Sequence, residues 1–406
     1  MSNERFNKNL SILKLIKSSV PLTDYSGFGG LHKVMSPVDY DQLKNIVSED
    51  EFKSIQGSFK TAYYTPTSLI NLIYKAVQKL GFQGGRILDP ACGHGAFIFN
   101  MPESIRANSI IHAIELDTIS AKLAKSIYPY AKILNRGFEN TAFKAESFDL
   151  IVGNPPYSSM KVFDQNFPQY KDLAIHHYFV ATSVELLKTG GILAMVLPQY
   201  CLDNLRDHPR TIMAKQGSLV AAYRLPDCMF DNAKVTVDIV LYVKNTTLPG
   251  VQNRFESLKK ITLNQSTLPI NEYFLDHPTH VLGNLNTCNL YNERIGLTVA
   301  LDQGKESVLT RLDSLINGLP ALFCTNSDKN VSESILHKIS LKITALQGEI
   351  HSLKDAFEIS LAELEIEKLN RVKSLLESEH AAKAELMKKV SEIDQKIASF
   401  TSRFSL

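Results

Sequence analysis

The stretch Phe148–Tyr157, FDLIVGNPPY, ends in residues able to hold an amino group on a flat ring. Asn154 carries a side-chain carbonyl and Tyr157 an aromatic face. Pro155 and Pro156 have fixed φ angles and no N–H, so the loop is rigid and its carbonyls are free to accept hydrogen bonds. Two acceptors converging on one point suit an –NH2 group, and the ring suits the planar base or amide that bears it. The plainer alternative is a strand followed by a Pro-Pro turn.

Upstream, Asp89-Pro90-Ala91-Cys92-Gly93-His94-Gly95 reads as the end of a strand and a tight Gly-x-Gly loop, with a helix beginning near Ala96. Such a unit passes a nucleotide-like ligand over a helix N-terminus, where glycine permits close backbone approach. A second strand, Ile110 to Ile114, delivers Glu115 twenty residues after Gly95. An acid there is placed to accept hydrogen bonds from two ribose hydroxyls. A helix with Thr65 as cap and Pro66 at its first position carries Leu69, Ile70, Ile73, Val77 and Leu80 on one face.

The elements that must position these groups are those of an α/β, doubly wound, Rossmann-like sheet. Thr118 to Tyr128 reads as a helix, Ala131 to Leu134 as a third strand and Phe148 to Val152 as a fourth. His176 to Leu187 follows as a helix closed by Gly190-Gly191, then Ile192 to Leu197 as a fifth strand, with further β segments near Val220 to Arg224 and Val235 to Val243. In that topology the first and fourth strands are neighbours, so Asp89 and the NPPY loop share one crevice.

The chain of 406 residues has 44 Lys+Arg against 42 Asp+Glu, so contacts to nucleic-acid phosphates must come from local patches. Cys92, Cys201, Cys228, Cys288 and Cys324 are scattered and never form a Cys-x-x-Cys pair, which argues against a disulfide framework and a zinc site. His176 and His177, with no cysteine or clustered carboxylate beside them in sequence, read as structural, and no metal is expected. The N-terminus has no uninterrupted apolar core and no later run reaches membrane-spanning length, so the expectation is a cytoplasmic protein.

In order, Tyr64-Thr65-Pro66, Asp89 to Gly95, Glu115-Leu116-Asp117 and Asn154-Pro155-Pro156-Tyr157 resemble the S-adenosylmethionine-dependent amino methyltransferases of the adenine-N6 DNA type, in the gamma arrangement. More narrowly, Tyr25 to Leu31, Gly137-Phe138-Glu139, Ile175 to Phe179, Arg224-Leu225-Pro226, Phe230 and Thr236 to Leu241 resemble the methylase portion of very large mobile-element and phage proteins in which it is fused to a helicase. The resemblance implies S-adenosyl-L-methionine as methyl donor, DNA as partner, and a link to restriction-modification. It implies cofactor contacts from Thr65, Asp89, Ala91, Gly93, Gly95, Glu115, Phe138 and Asn154. It gives the catalytic loop as Asn154, Pro155, Pro156 and Tyr157, and seats a flipped base between Tyr157 and Phe230. Many members have an Asp-Phe pair where this chain has Gly137-Phe138, so adenine recognition falls to Phe138 and a backbone N–H. Two other readings stand beside it: an amino methyltransferase acting on RNA or a protein glutamine amide, and a scaffold without turnover.

The domain organisation expected is an N-terminal helical and loop segment (1–60), a catalytic domain (61–248), a small accessory or target-contacting region (249–328) and a coiled coil or helical hairpin (329–406). The last rests on Ile339, Ile343, Leu346, Ile350, Leu353 and Phe357, spaced by three and four, and implies a homodimer or an intramolecular pair.

Overall fold

Leu150, Ile151 and Val152 are fully buried, as an unbroken apolar run must be when both faces of its sheet are covered. They lie at the centre of a computed structural model that describes residues 2–16, 27–28, 31, 35–59, 64–205, 208–230, 233–244, 254–289, 295–322, 366 and 370. Met1–Ala321 form one compact unit and Leu322–Leu406 a second. The coiled coil expected over 329–406, and with it the dimer, falls outside the described residues except for positions 366 and 370.

Three helices open the chain, α1 (Ser2–Ile16), α2 (Pro37–Lys44) and α3 (Glu49–Ser58). Ser36 and Ser48 each close a capping box, with Asp39 and Glu51 reaching back to the cap. Phe6, Leu10, Leu43, Phe52 and Ile55 form a cluster that extends to Ile119 and Leu123. Helix α4 (Thr67–Lys79) buries the expected apolar face. It starts later than expected: Pro66, with ψ 140°, is the cap residue, and no side chain caps the helix. Thr65 therefore stands outside the helix, with its hydroxyl committed elsewhere.

The sheet follows: β1 (Gly85–Asp89), α5 (Ala96–Phe99), α6 (Glu103–Arg106), β2 (Ser109–Glu115), α7 (Thr118–Ile127), β3 (Lys132–Asn135), β4 (Phe148–Gly153), α8 (Ile175–Leu186), β5 (Leu187–Pro198), α9 (Tyr200–Asp203), α10 (His208–Gln216), β6 (Gly217–Leu225) and β7 (Val237–Lys244). Strand order is β3-β2-β1-β4-β5-β7-β6. Pairing is parallel from β3 to β5, and β7 runs antiparallel to both of its neighbours. This is the Rossmann-like, mostly parallel sheet the sequence calls for. Ile87 pairs with Leu150 and Leu88 with Ile151, which sets the ends of β1 and β4 side by side.

Two local expectations change. The helix after the Gly-x-Gly loop is a single turn, α5, and Pro102 then caps a second short helix. Gly190-Gly191 does not close α8. Leu187 is already extended (φ −69°, ψ 140°), and the glycines sit within β5 beside a register irregularity against β4, with Gly190 at φ +79°.

The region after β7 is more ordered than its weak patterning suggests. Hairpins β8 (Leu258–Leu263) with β9 (Ser266–Asn271) and β10 (Asn284–Asn289) with β11 (Ile295–Ala300) flank α11 (Glu272–Asp276), and α12 (Lys305–Asn317) follows. Leu268, Ile270 and Phe274 enter the main core. Helix α12 buries Val308, Leu312 and Ile316 and packs on α4, where Lys75 pairs with Asp313. No helix among the described residues is long and apolar enough to cross a membrane.

Arg224 ties these layers together. It is fully buried, and Nη1 and Nη2 donate to Asp203 at 2.6 and 3.0 Å while Nε and Nη2 donate to Asp238, both at 2.8 Å. Asp203 Oδ1 also accepts the Asn271 backbone N–H at 2.9 Å. One guanidinium thus joins β6, β7, α9 and the end of β9, over the Phe274 ring at 4.0 Å. Removing it strands two carboxylates in the core. Arg224→Met is expected to lower unfolding stability by about 3–5 kcal/mol, measured by denaturant titration. A change within experimental error would show that the cluster is not a structural tie.

Candidate functional site

A cavity of about 520 Å3 opens at the carboxyl ends of β1, β2 and β4. The structure brings Thr65, Ala91, Gly93, Glu115, Phe138, Asn154 and Pro156 to its wall. Asp89, Gly95, Pro155, Tyr157 and Phe230 are not on that wall. Asp89 lies beneath it, Gly95 caps α5 with φ +91°, and Phe230 is buried at 4% exposure.

Two acids stand at this end of the sheet, Glu115 in the cavity wall and Asp89 behind it. Asp89 is 2% exposed, and Oδ1 accepts the Ala91 N–H at 3.1 Å, while Oδ2 meets no partner among the described residues. Burial pushes its carboxyl up to about 8, and Glu115 adds repulsion. Glu115 Oε2 accepts the Gly93 N–H at 2.7 Å and Oε1 the Asp117 N–H at 2.6 Å. Burial outweighs those two bonds and raises it to about 7. Each Glu115 oxygen keeps a second lone pair, enough to accept a ligand hydroxyl. Asp117 in turn caps α7, its carboxylate accepting from Ser120.

Gly93 has φ +57°, and a Cβ there would come within 2.5 Å of the Tyr64 ring. Gly27 has φ +63° and meets the other edge of the same ring, a Cβ there falling 2.4 Å from it. Tyr64 is thus wedged between the two glycine loops, with its ring against His94 at a centroid distance of 4.5 Å. The Gly27 carbonyl accepts from Arg5 at 2.9 Å and Asn9 at 2.6 Å. Gly27 is therefore where helix α1 docks near the site.

Sequence reasoning missed the contribution of α3. Lys53, Ser54 and Gly57 line the cavity, and Ser54 Oγ donates to Asp117 at 2.7 Å while accepting the Thr118 N–H at 2.9 Å. The Ser48 and Glu51 capping box signals the helix; nothing local says that its face meets α7.

On the far side, the Asn154 amide is bonded at both of its ends. Nδ2 donates to Thr65 Oγ1 at 3.2 Å, and Oδ1 accepts the Tyr157 O–H at 2.6 Å. Tyr157 Oη also lies 3.0 Å from the Val196 carbonyl. Beyond this loop a second, shallower cavity is lined by Ser158, Lys161, His176, His177, Tyr200 and Asn204. Here the fold supplies the cysteine that the sequence did not place near the histidines: ligand atoms of His176, His177 and Cys201 lie within 4.8 Å of one another. His176 Nδ1 is 3.0 Å from the Ser158 carbonyl, and burial lowers the imidazole to about 4 and leaves it neutral.

Residues 70–225 match the Eco57I restriction-modification methylase family. The chain is 28% identical over 213 residues to the type II methyltransferase M.CvrRI of Paramecium bursaria Chlorella virus XZ-6E, covering 50% of this chain and 53% of that one. It is 24% identical over 198 residues to the defense against restriction protein B of Escherichia phage P1, covering 47% of this chain and 8% of that protein. The chain thus spans about half the length of the first relative and a small part of the second. A solved structure, the type I restriction-modification system methyltransferase subunit from Streptococcus thermophilus, aligns with 18% identity and a TM-score of 0.41, over 61% of this chain and 59% of that chain.

The two raised carboxyls make stability pH-dependent. Between the ordinary carboxylate values and about 8, the folded state binds more protons than the unfolded, so stability falls as pH rises through that window and levels off above it. Buried imidazoles such as His176 act in the opposite sense below about pH 6.5, so the expected signature is a difference: wild-type protein should lose melting temperature relative to Asp89→Asn as pH rises towards 8. A difference between wild type and variant that does not change with pH would contradict the assignment.

Proposed function

We propose that this chain, through the methylase region at 70–225, transfers a methyl group from S-adenosyl-L-methionine to the exocyclic N6 amine of adenine in DNA. The observation that carries this reading is the placement of the Asn154 amide on the same wall as Gly93, Glu115 and Phe138, where a donor site and an amine site can meet.

The cavity fits the methyl donor. Its volume lies within the roughly 300–1,000 Å3 of small-molecule sites. Gly93 allows close backbone approach, Glu115 has lone pairs for ribose hydroxyls, and Phe138 offers an aromatic edge for adenine. Asp89 Oδ2, buried behind the wall and without a hydrogen-bond partner among the described residues, would be favoured in its ionised form by a cationic ligand in the cavity. When bound, the cofactor supplies an activated methyl group on a sulfonium sulfur.

The work of the protein is to make a poor nucleophile attack. The lone pair of an exocyclic amine is delocalised into its ring. Acceptance of both amine protons by Asn154 Oδ1 and the Pro155 carbonyl biases the nitrogen towards a pyramidal geometry and stabilises the cation formed on attack. Rigid in-line alignment contributes further, up to about 7–11 kcal/mol in well-oriented systems. No strong base is required for the transfer. A paired adenine cannot reach this crevice, so the base must be flipped, costing a few kcal/mol. Tyr157 is the stacking ring on the NPPY loop. Phe230, packed away in this structure, serves as the second ring only if its segment turns outward when DNA binds.

Labelled-methyl transfer to unmodified DNA, RNA and protein extract in parallel tests the reading, with N6-methyladenine in DNA as the expected product. Asn154→Ala should lose about 10²–10³-fold in turnover and retain cofactor binding. Wild-type turnover in that variant, or label confined to RNA or protein, would overturn the assignment.

A further inference from the structure

The second cavity, of about 430 Å3, opens beside Ser158, the residue that follows the NPPY loop. His176 and His177, in the first turn of α8, lie on its wall, and Cys201 of α9 is buried next to them at 1% exposure. A ring nitrogen of each histidine and Cys201 Sγ lie within 4.8 Å of one another. His176 Nδ1 is 3.0 Å from the Ser158 carbonyl. A carbonyl only accepts, so Nδ1 carries the proton and the lone pair of the neutral ring is on Nε2. Metal-binding imidazoles are held in one tautomer by a bond of this kind. The Tyr200 ring, 4.8 Å from His176 between centroids, packs against the same imidazole.

We propose that His176, His177 and Cys201 bind one divalent ion of the zinc type. Two imidazoles and a thiolate are the donors such an ion prefers, and the set holds none of the carboxylates that a magnesium or calcium site uses. A tetrahedral site with bonds of about 2.0–2.3 Å sets its ligand atoms roughly 3.3–3.8 Å apart. The three groups therefore draw in by up to about 1 Å, a movement within the reach of side-chain torsions. The cavity gives the ion a way in and leaves its fourth position to water. On binding, two nitrogen–metal bonds and one sulfur–metal bond form, and the Cys201 S–H bond breaks with its proton released to solvent. The ion joins the first turn of α8 to α9 and, through His176, holds the backbone at Ser158. It is a brace for the segment next to Asn154 and Tyr157, with no part in methyl transfer itself.

None of the readouts that test this depends on methyl transfer. The full chain, stripped with a chelator and titrated with Co2+, should take up one tight equivalent. It should show the near-ultraviolet thiolate-to-cobalt band and the intense visible bands of a tetrahedral site, both lost on adding Zn2+. Cys201→Ser should lose the thiolate band, whereas Cys228→Ser, at a half-buried cysteine outside the cluster, should keep it. The calorimetric Kd for Zn2+ should weaken by about 100-fold or more in Cys201→Ser and in His176→Gln. Zn2+ should raise the melting temperature of wild type and of neither variant. Circular dichroism checks that the variants fold, and the wild-type cobalt spectrum stands without them. Pale octahedral cobalt with no thiolate band, or zinc binding unchanged in both variants, would make the metal adventitious and overturn the site. A thiolate band that survives Cys201→Ser would put the ion on another cysteine and overturn it equally.

Discussion

Everything at this site depends on the parallel pairing of β1 with β4. Strands 63 residues apart in sequence are set in register by Ile87 against Leu150 and Leu88 against Ile151, apolar residues that have no other place to go once both faces of the sheet are covered. The pairing ends where Gly153 passes Asp89 so closely that a Cβ would lie 2.7 Å from the carboxylate. Any larger residue would push the two strand ends apart. That contact brings the acid loop and the amine-binding loop to one opening, and it puts the least solvated carboxylate of the site behind the crevice instead of in it.

Polar groups around the opening are arranged to satisfy backbone donors first. Glu115 spends a lone pair of each oxygen on an N–H, Asp117 caps α7, and Ser54 bridges from α3 to that cap. These bonds cost the ionised carboxyls little in hydrogen bonding, yet burial still lifts Asp89 and Glu115 well above their ordinary values. A positively charged or hydroxyl-bearing group at the cavity would offset part of that burial cost. The N-terminal helices complete it: Tyr64, seated between Gly27 and Gly93, joins their docking to the shape of the Gly-x-Gly loop.

A distant constraint supports this one. The antiparallel β6 and β7 carry Arg224 and Asp238 into the core, where Asp203 and the Asn271 N–H complete the charge balance. The accessory hairpins after β7 are fixed to the sheet through that cluster and through Leu268, Ile270 and Phe274. This accounts for their order although Ile261 and Leu263 of β8 and Leu285 of β10 are only partly buried against that core.

The sequence by itself determined the sheet, because period-two and continuous apolar runs, a Gly-x-Gly turn and the acid after β2 each have a local physical cause. Asp89 and Glu115 each end a strand and Asn154 follows one, which marks the carboxyl edge of the sheet where the cavity opens. Tertiary structure alone decided which side chains face it. The capping box of α3 forecasts a helix, but only packing on α7 brings Lys53 and Ser54 to the cavity wall. Cys201 joins His176 and His177 through a turn of chain after β5 that no spacing rule announces. Thr65 looks like a cap in sequence, yet the geometry of Pro66 excludes it from the helix and leaves its hydroxyl for Asn154. Hydrogen bonds between residues far apart in the chain leave no periodic trace, so the bond between Thr65 and that amide is a property of the folded crevice and not of the NPPY motif.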